Sequence, residues 1–244
     1  MKKEKRTNMK PEERRNQLLD CAQMLFFSKG FEDTTMQDIL ASAGVSKGGF
    51  YHHFKSKDEL LEGILNRFVE QTQTALRPVL EQEYPTWLDL YHAYFDVLRA
   101  QMSDGARARL PLFVMMFQDR NAALQQRMSD AIYIANLEIF AEVLQRGVRS
   151  GDLDLPDAEV AAGLALKIGT THQDWMRKAL RSTDLSELVT TGQKIDISLQ
   201  LQGIAIDRML GLPDGNTCIR ADGFADDITA GIKDLLFDED GQLK

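Results

Sequence analysis

Thr34-Thr35-Met36-Gln37-Asp38-Ile39-Leu40-Ala41-Ser42-Ala43-Gly44-Val45-Ser46-Lys47-Gly48-Gly49-Phe50-Tyr51-His52-His53-Phe54 is the stretch on which the fold is decided. It holds two helix starts and one stop. Thr35-Met36-Gln37-Asp38 is a capping box, with Thr35 opening a short helix and Asp38 returning the bond. That helix ends before Gly44, which suits a tight left-handed turn. Ser46 then caps a further short helix, about 46–54. Ile39, Ala43, Val45 and Phe54 would pack the two together. The pattern predicts a helix-turn-helix over about 34–53. A glycine between short helices also occurs in ordinary hairpins, so the side chains must decide.

They favour a phosphate-rich partner. Ser46, Lys47, Tyr51, His52 and His53 crowd polar donors onto one short segment, and Lys57 follows at the start of the next helix. Phosphate oxygens accept from donors of this kind and from helix N-terminal amides. Gly48 and Gly49 cost so short a helix roughly 1.5–2 kcal/mol against alanine. Close backbone approach to a duplex explains them better than folding does. His52 and His53 point about 100° apart on a helix, which argues against a shared metal. No metal and no cofactor is expected.

Outward from this stretch the chain reads as helix throughout. A first helix runs about 11–29, with Pro11 at its start, Glu12 and Glu13 at the positive end of its dipole, and Gly30 as its stop. Its apolar stripe is Leu18, Cys21, Ala22, Leu25 and Phe26. Ser56-Lys57-Asp58-Glu59 is another capping box, opening a fourth helix with Leu60, Leu61, Ile64, Leu65 and Phe68 on one face. Longer helices follow at about 85–102, 105–117 (bent at Pro111), 121–150, 157–180 and 186–210, then a loop and a short helix lined by Phe224, Ile228, Ile232 and Leu235. Strand-like alternation is absent. The class is all-α.

At residues 11–71 the sequence resembles a known family. Gly30-Phe31, Thr34-Thr35, Asp38-Ile39, Ala43-Gly44-Val45-Ser46-Lys47-Gly48, Tyr51-x-His53-Phe54 and Ser56-Lys57 follow, in order and without gaps, the N-terminal signature of the TetR (tetracycline-repressor) family. Leu40 stands where that family usually has alanine, and Gly49-Phe50 where a small polar residue and leucine are commoner. The resemblance implies a homodimeric, ligand-responsive transcription regulator, usually a repressor. It implies a three-helix head over 11–71 and a larger helical ligand-binding and dimerisation domain over 72–244. Carried over by position, Thr35, Gln37, Ser46, Lys47, Tyr51, His53 and Lys57 would contact double-stranded operator DNA, with Gly48 and Gly49 giving close approach. Tyr51, His53 and Lys57 read as phosphate anchors, and Gln37, Lys47 and His52 as nearest the base edges.

Charge fits this division. The whole chain has 244 residues and a net charge of -8, which taken alone argues against nucleic acid. Residues 1–57 carry +4 and the remainder -12. No Gly-x-Ser-x-Gly elbow, Walker loop, His-Glu-x-x-His or dinucleotide fingerprint is present, so no enzyme is expected. A helical protein-interaction module without DNA affinity is the alternative. No apolar signal core follows the basic start, and no apolar run reaches roughly 18 residues, so a cytoplasmic protein with no membrane partner is expected.

In the body, the eighth and ninth of these helices, about 157–180 and 186–210, are the expected dimer interface, mainly by resemblance. Ala161-Ala162-Gly163 and the face Ile195, Leu199, Ile206 and Leu210 support it. A small apolar or amphipathic effector would bind between helices four to eight and move the fourth. Candidate pocket residues are Phe68, Tyr91, Phe113, Met116, Tyr133, His172 and Trp175. The run Phe113 to Phe117 suits ordinary core better than a ligand box.

Overall fold

The computed structural model describes residues 10–103 and 116–244. Among the described residues the regular elements are helices, with one isolated bridge between Phe237 and Leu243. Pro111, Phe113 and most of the helix expected over about 105–117 lie outside the described residues. The chain divides between Arg67 and Phe68 into two compact units.

The first unit holds α1 (Pro11–Lys29), α2 (Met36–Ala43), α3 (Lys47–Tyr51) and the opening turns of α4 (Lys57–Glu81). α1 buries Leu18, Leu19, Ala22, Phe26 and Phe27, so its inner face is rotated from the expected stripe. Cys21 and Leu25 are half-buried. The reason is that α1 is covered on a second side by α4. A Cβ at Gly63 would lie 2.9 Å from Leu19 Cδ2 and 3.3 Å from a Phe54 ring carbon. Bare backbone at Gly63 therefore lets the two helices meet. Arg67 closes the same contact, donating to Asp20 at 2.7 Å and Gln23 at 3.0 Å. Leu60, Leu61 and Ile64 complete the core.

The second unit comprises the rest of α4, α5 (Trp87–Ser103), a 3-10 turn at Asp119–Asn121, α6 (Ala122–Ser150), α7 (Ala158–Ile168), α8 (His172–Ala179), α9 (Leu185–Leu210) and α10 (Phe224–Leu236). One apolar cluster joins the aromatic face of α5 to α6, α7 and the end of α9. Tyr94 stacks on Phe140 at 4.6 Å, and Trp87 Nε1 donates to the Val143 carbonyl at 2.8 Å. A second cluster joins α8, α9 and α10 through Met176, Leu188, Ile195, Leu199, Phe224, Ile228 and Ile232.

The loop between α9 and α10 is fastened from inside. Asp207, fully buried, accepts from the backbone N–H groups of Gly215, Asn216 and Thr217 at 2.7, 3.0 and 2.8 Å, and from the Thr217 hydroxyl at 2.6 Å. The Tyr91 hydroxyl bonds the same Thr217 hydroxyl, so α5 and this loop share one buried network. A buried carboxylate is tolerable only when its lone pairs are met this completely.

Two expectations for the body are corrected. The helix expected over about 157–180 is two helices, broken at Gly169-Thr170-Thr171. Glycine is a weak helix former, and the Thr170 and Thr171 hydroxyls take the Lys167 and Ile168 carbonyls at 2.8 and 3.0 Å. The face Ile195, Leu199, Ile206 and Leu210 is buried within the chain's own second unit, and so are Ala161 and Ala162. Periodicity marks an apolar face without naming what covers it. Here α10 and its neighbours take Ile195 and Leu199. The large apolar side chains left exposed on α7 and α9 include Val160, Leu164, Val189, Ile197 and Leu201, the last 57% exposed.

Candidate nucleic-acid interface

The site is built on the cap of α2. Asp38 Oδ2 accepts from the Lys29 ammonium at 2.6 Å, the Thr35 N–H at 2.8 Å and the Thr35 hydroxyl at 2.7 Å. Thr35 Oγ1 in turn accepts from the Asp38 N–H at 3.2 Å. The bond from Lys29, then those from Thr35, hold the Asp38 carboxyl well below the usual carboxylate range. A depressed carboxylate contributes its full stability above its unfolded value near pH 4 and loses it only as pH falls toward the folded value. Mild acid therefore leaves this cap intact.

Gly44 closes α2 in the left-handed conformation, at φ +62°, and its N–H bonds back to Ala41 and Leu40. Two residues later the Ser46 hydroxyl accepts from the Gly49 N–H at 3.1 Å and starts α3. α3 is shorter than the expected 46–54. The N–H groups of His53 and Phe54 converge on the Phe50 carbonyl at 2.8 and 3.0 Å, ending the helix. The chain can then reach Ser56, whose hydroxyl caps α4 by accepting from the Glu59 N–H at 3.0 Å. Phe50 and Phe54 are buried with rings 6.0 Å apart, so α3 is pinned from beneath.

Thr35, Gln37, Ser46, Lys47, Gly48, Tyr51 and His52 are exposed, while Gly49, His53 and Lys57 are half-buried. Lys47 Nζ lies 6.0 Å from the Tyr51 ring centroid, and the His52 and His53 rings meet edge to face at 5.1 Å. Neither Gly48 nor Gly49 has the positive φ that would demand glycine. A Cβ at Gly48 would meet nothing within 4 Å, and one at Gly49 would touch Ser46 Oγ at an ordinary 3.4 Å. Folding does not require either glycine.

His53 is held below its ordinary value. Burial contributes most, followed by the positive fields of His52, Arg14 and Arg15. Arg14 and Arg15 belong to α1 and were not among the residues expected at the interface. Arg15 also lies over the Phe54 ring at 5.0 Å. Their signal is spatial, since α1 brings them beside the end of α3, and no local motif announces it. Lys57 is differently placed from the other expected contacts. Its ammonium donates to the carbonyls of Phe31 at 2.7 Å, Thr34 at 3.1 Å and Glu32 at 3.4 Å.

The expected pocket residues of the body are dispersed. Tyr91 is buried in the α5 cluster with its hydroxyl engaged by Thr217, and Phe68 is half-buried on α4. Tyr133 lies beneath Lys167 at 4.3 Å, with its hydroxyl against the bare backbone of Gly163. Met116 and Trp175 pack on the α8–α10 cluster, where Trp175 faces Lys194 at 4.9 Å and Lys178 at 5.5 Å. His172 Nδ1 is buried without a hydrogen-bond partner among the described residues, and burial lowers the pKa of its ring. None of these six lines the groove of about 740 Å³ between α9 and α10 among the described residues. No helix among the described residues is long and apolar enough to cross a membrane.

Comparison with known proteins finds likenesses to this site. Residues 18–64 match the family model described as bacterial regulatory proteins, tetR family. The transcriptional repressor KstR2 of Mycolicibacterium smegmatis is 29% identical over 161 residues, covering 63% of this chain and 74% of that protein. KstR2 of Rhodococcus jostii is 28% identical over 204 residues, covering 79% and 91%. Among solved structures, a TetR-family transcriptional regulator from Pectobacterium atrosepticum superposes with a TM-score of 0.51 at 22% identity, over 81% of this chain and 97% of that one. That likeness concerns the fold. The capped helix-turn-helix lies inside the segment that matches the tetR-family model, and beyond that segment the chain is similar to the transcriptional repressor KstR2.

Proposed function

We propose that the chain is a homodimeric transcriptional repressor that binds a pseudo-palindromic operator and leaves it when a small molecule binds the body. The observation that carries the DNA reading is the exposed surface of α2 and α3. It presents Gln37, Lys47, Tyr51 and His52 around two glycines that the fold itself does not need. Lys47 is suited to guanine O6 and N7, and Gln37 to adenine N6 and N7. Tyr51 and His53 would anchor phosphates, with Arg14 and Arg15 adding positive field beside them. The excess of negative charge beyond residue 57 would orient the protein head-first on a polyanion.

Dimerisation is assigned to the exposed apolar side chains of α7 and α9, namely Val160, Leu164, Ile197 and Leu201. Exposed large aliphatics on neighbouring helices are what a self-associating face leaves behind in the single chain. The effector is proposed to be amphipathic, with methionine and aromatic contact from Met116 and Trp175, which share the α8–α10 cluster. The buried, unpartnered His172 Nδ1 would supply one polar contact.

Four outcomes are expected. Affinity for duplex DNA should fall as salt rises, linearly on log–log axes, and should rise as pH falls. Phosphate would raise the depressed His53 value, so binding takes up a proton between the free and bound values. The wild-type gain should therefore appear as pH falls through the bound value, and His53→Gln should flatten it. Folding has the opposite demand, because a depressed histidine costs stability as pH falls, so the comparison is made where circular dichroism shows native protein. A flat salt dependence in the wild type would instead indicate a protein-interaction module. Gly48→Ala should stabilise the chain by roughly 1 kcal/mol in thermal melts while weakening duplex binding; equal or tighter binding would remove the close-approach role. Ile197→Glu with Leu201→Glu should give a monomer by light scattering, and an unchanged dimer would place the interface elsewhere.

A further inference from the structure

We infer that Lys57 is a positioning residue that ties the first turn of α4 to the loop launching α2, and that it does not contact phosphate. This deepens the DNA-binding reading and rests on it. Lys57 is the first residue of α4, where the helix dipole disfavours a cation. Its presence there requires a source of negative potential.

The structure supplies one within the head. The ammonium has three N–H donors, and it has three backbone carbonyl acceptors: Phe31 at 2.7 Å, Thr34 at 3.1 Å and Glu32 at 3.4 Å. The Phe31 ring lies 4.3 Å from Nζ and meets the buried Phe26 ring edge-on at 5.0 Å. These carbonyls belong to the turn between α1 and α2, where no helical ladder engages all of them. The same turn is fixed at its other end by the buried Thr34 hydroxyl, which donates to Gly30 O at 2.6 Å. Thr35 follows at once and caps α2.

A displacement of the first turn of α4 must therefore either stretch these three bonds or carry the loop with it. The loop holds the cap of α2, and α2 presents Gln37. Lys57 thus passes the position of α4 to the residues that read sequence. Its loss should disturb geometry that only specific binding needs. Non-specific binding depends on phosphate charge and should survive.

The experiment uses two duplexes of equal length: one recovered from a random pool by the wild-type protein, and one unrelated. Lys57→Gln should bind the recovered duplex about tenfold more weakly or worse. It should hold the unrelated one within about twofold, with an unchanged log–log salt slope. Phe31→Leu, which removes the ring beneath the ammonium and keeps the charge, should show a smaller loss of the same selective kind. It decides the matter if Lys57→Gln does not fold. Equal losses on both duplexes with a slope shallower by about 0.9 would make Lys57 a phosphate anchor and overturn the inference. Equal losses without a slope change would mark a merely structural residue, and no loss in either variant would leave the bonds without consequence. A wild type with no salt-dependent affinity for either duplex would instead defeat the DNA-binding reading itself.

Discussion

Phe50 makes α3 possible. A helix of five residues with two glycines cannot form in isolation, because nucleation is costly and each glycine adds to the cost. Phe50 is completely buried, and its ring packs with Phe54 beneath the helix. Ser46 satisfies the Gly49 amide at one end, while the Phe50 carbonyl gathers two amides at the other. With these fixed, Lys47, Gly48, Tyr51 and His52 stand outward as a consequence of helical geometry. The glycines can then serve a partner, since their stability cost is met elsewhere in the head.

The head is wired by polar contacts that reach across the chain. Lys29 at the end of α1 bonds Asp38 in α2, Arg67 in α4 bonds Asp20 in α1, and Lys57 bonds the turn between α1 and α2. Exposed pairs of this kind add little stability singly. Their value here is orientation. Three cations are used inside the head, whereas Lys47 remains exposed beside Tyr51. Net charge alone does not distinguish a lysine engaged within the head from one left exposed.

Features encoded within a few residues were legible in the sequence. The Thr35–Asp38 box, the left-handed Gly44, the Ser46 cap and the Ser56 cap all appear where local chemistry placed them. The all-α class followed from the same caps and from apolar spacing. What failed depended on distant partners. The α1 stripe was misplaced because α4 covers Leu19 at Gly63. Ile195 and Leu199 suggested an outer face because nothing local reveals that α10 folds back over them. Lys57 reads in the sequence as a phosphate anchor, and nothing local announces the three carbonyls, more than twenty residues earlier, to which it donates. The break at Gly169-Thr170-Thr171 was locally encoded, and the two hydroxyls beside the glycine were its overlooked signal.

We propose that two copies of this head read DNA together through α2 and α3. Selection of bound duplexes from a random pool by the purified protein tests it most directly. Enrichment of two inverted half-sites with centres about 10–10.5 base pairs, or a multiple of that, apart is expected. Recovery of unenriched sequence, or of a single asymmetric site bound by one copy, would contradict it.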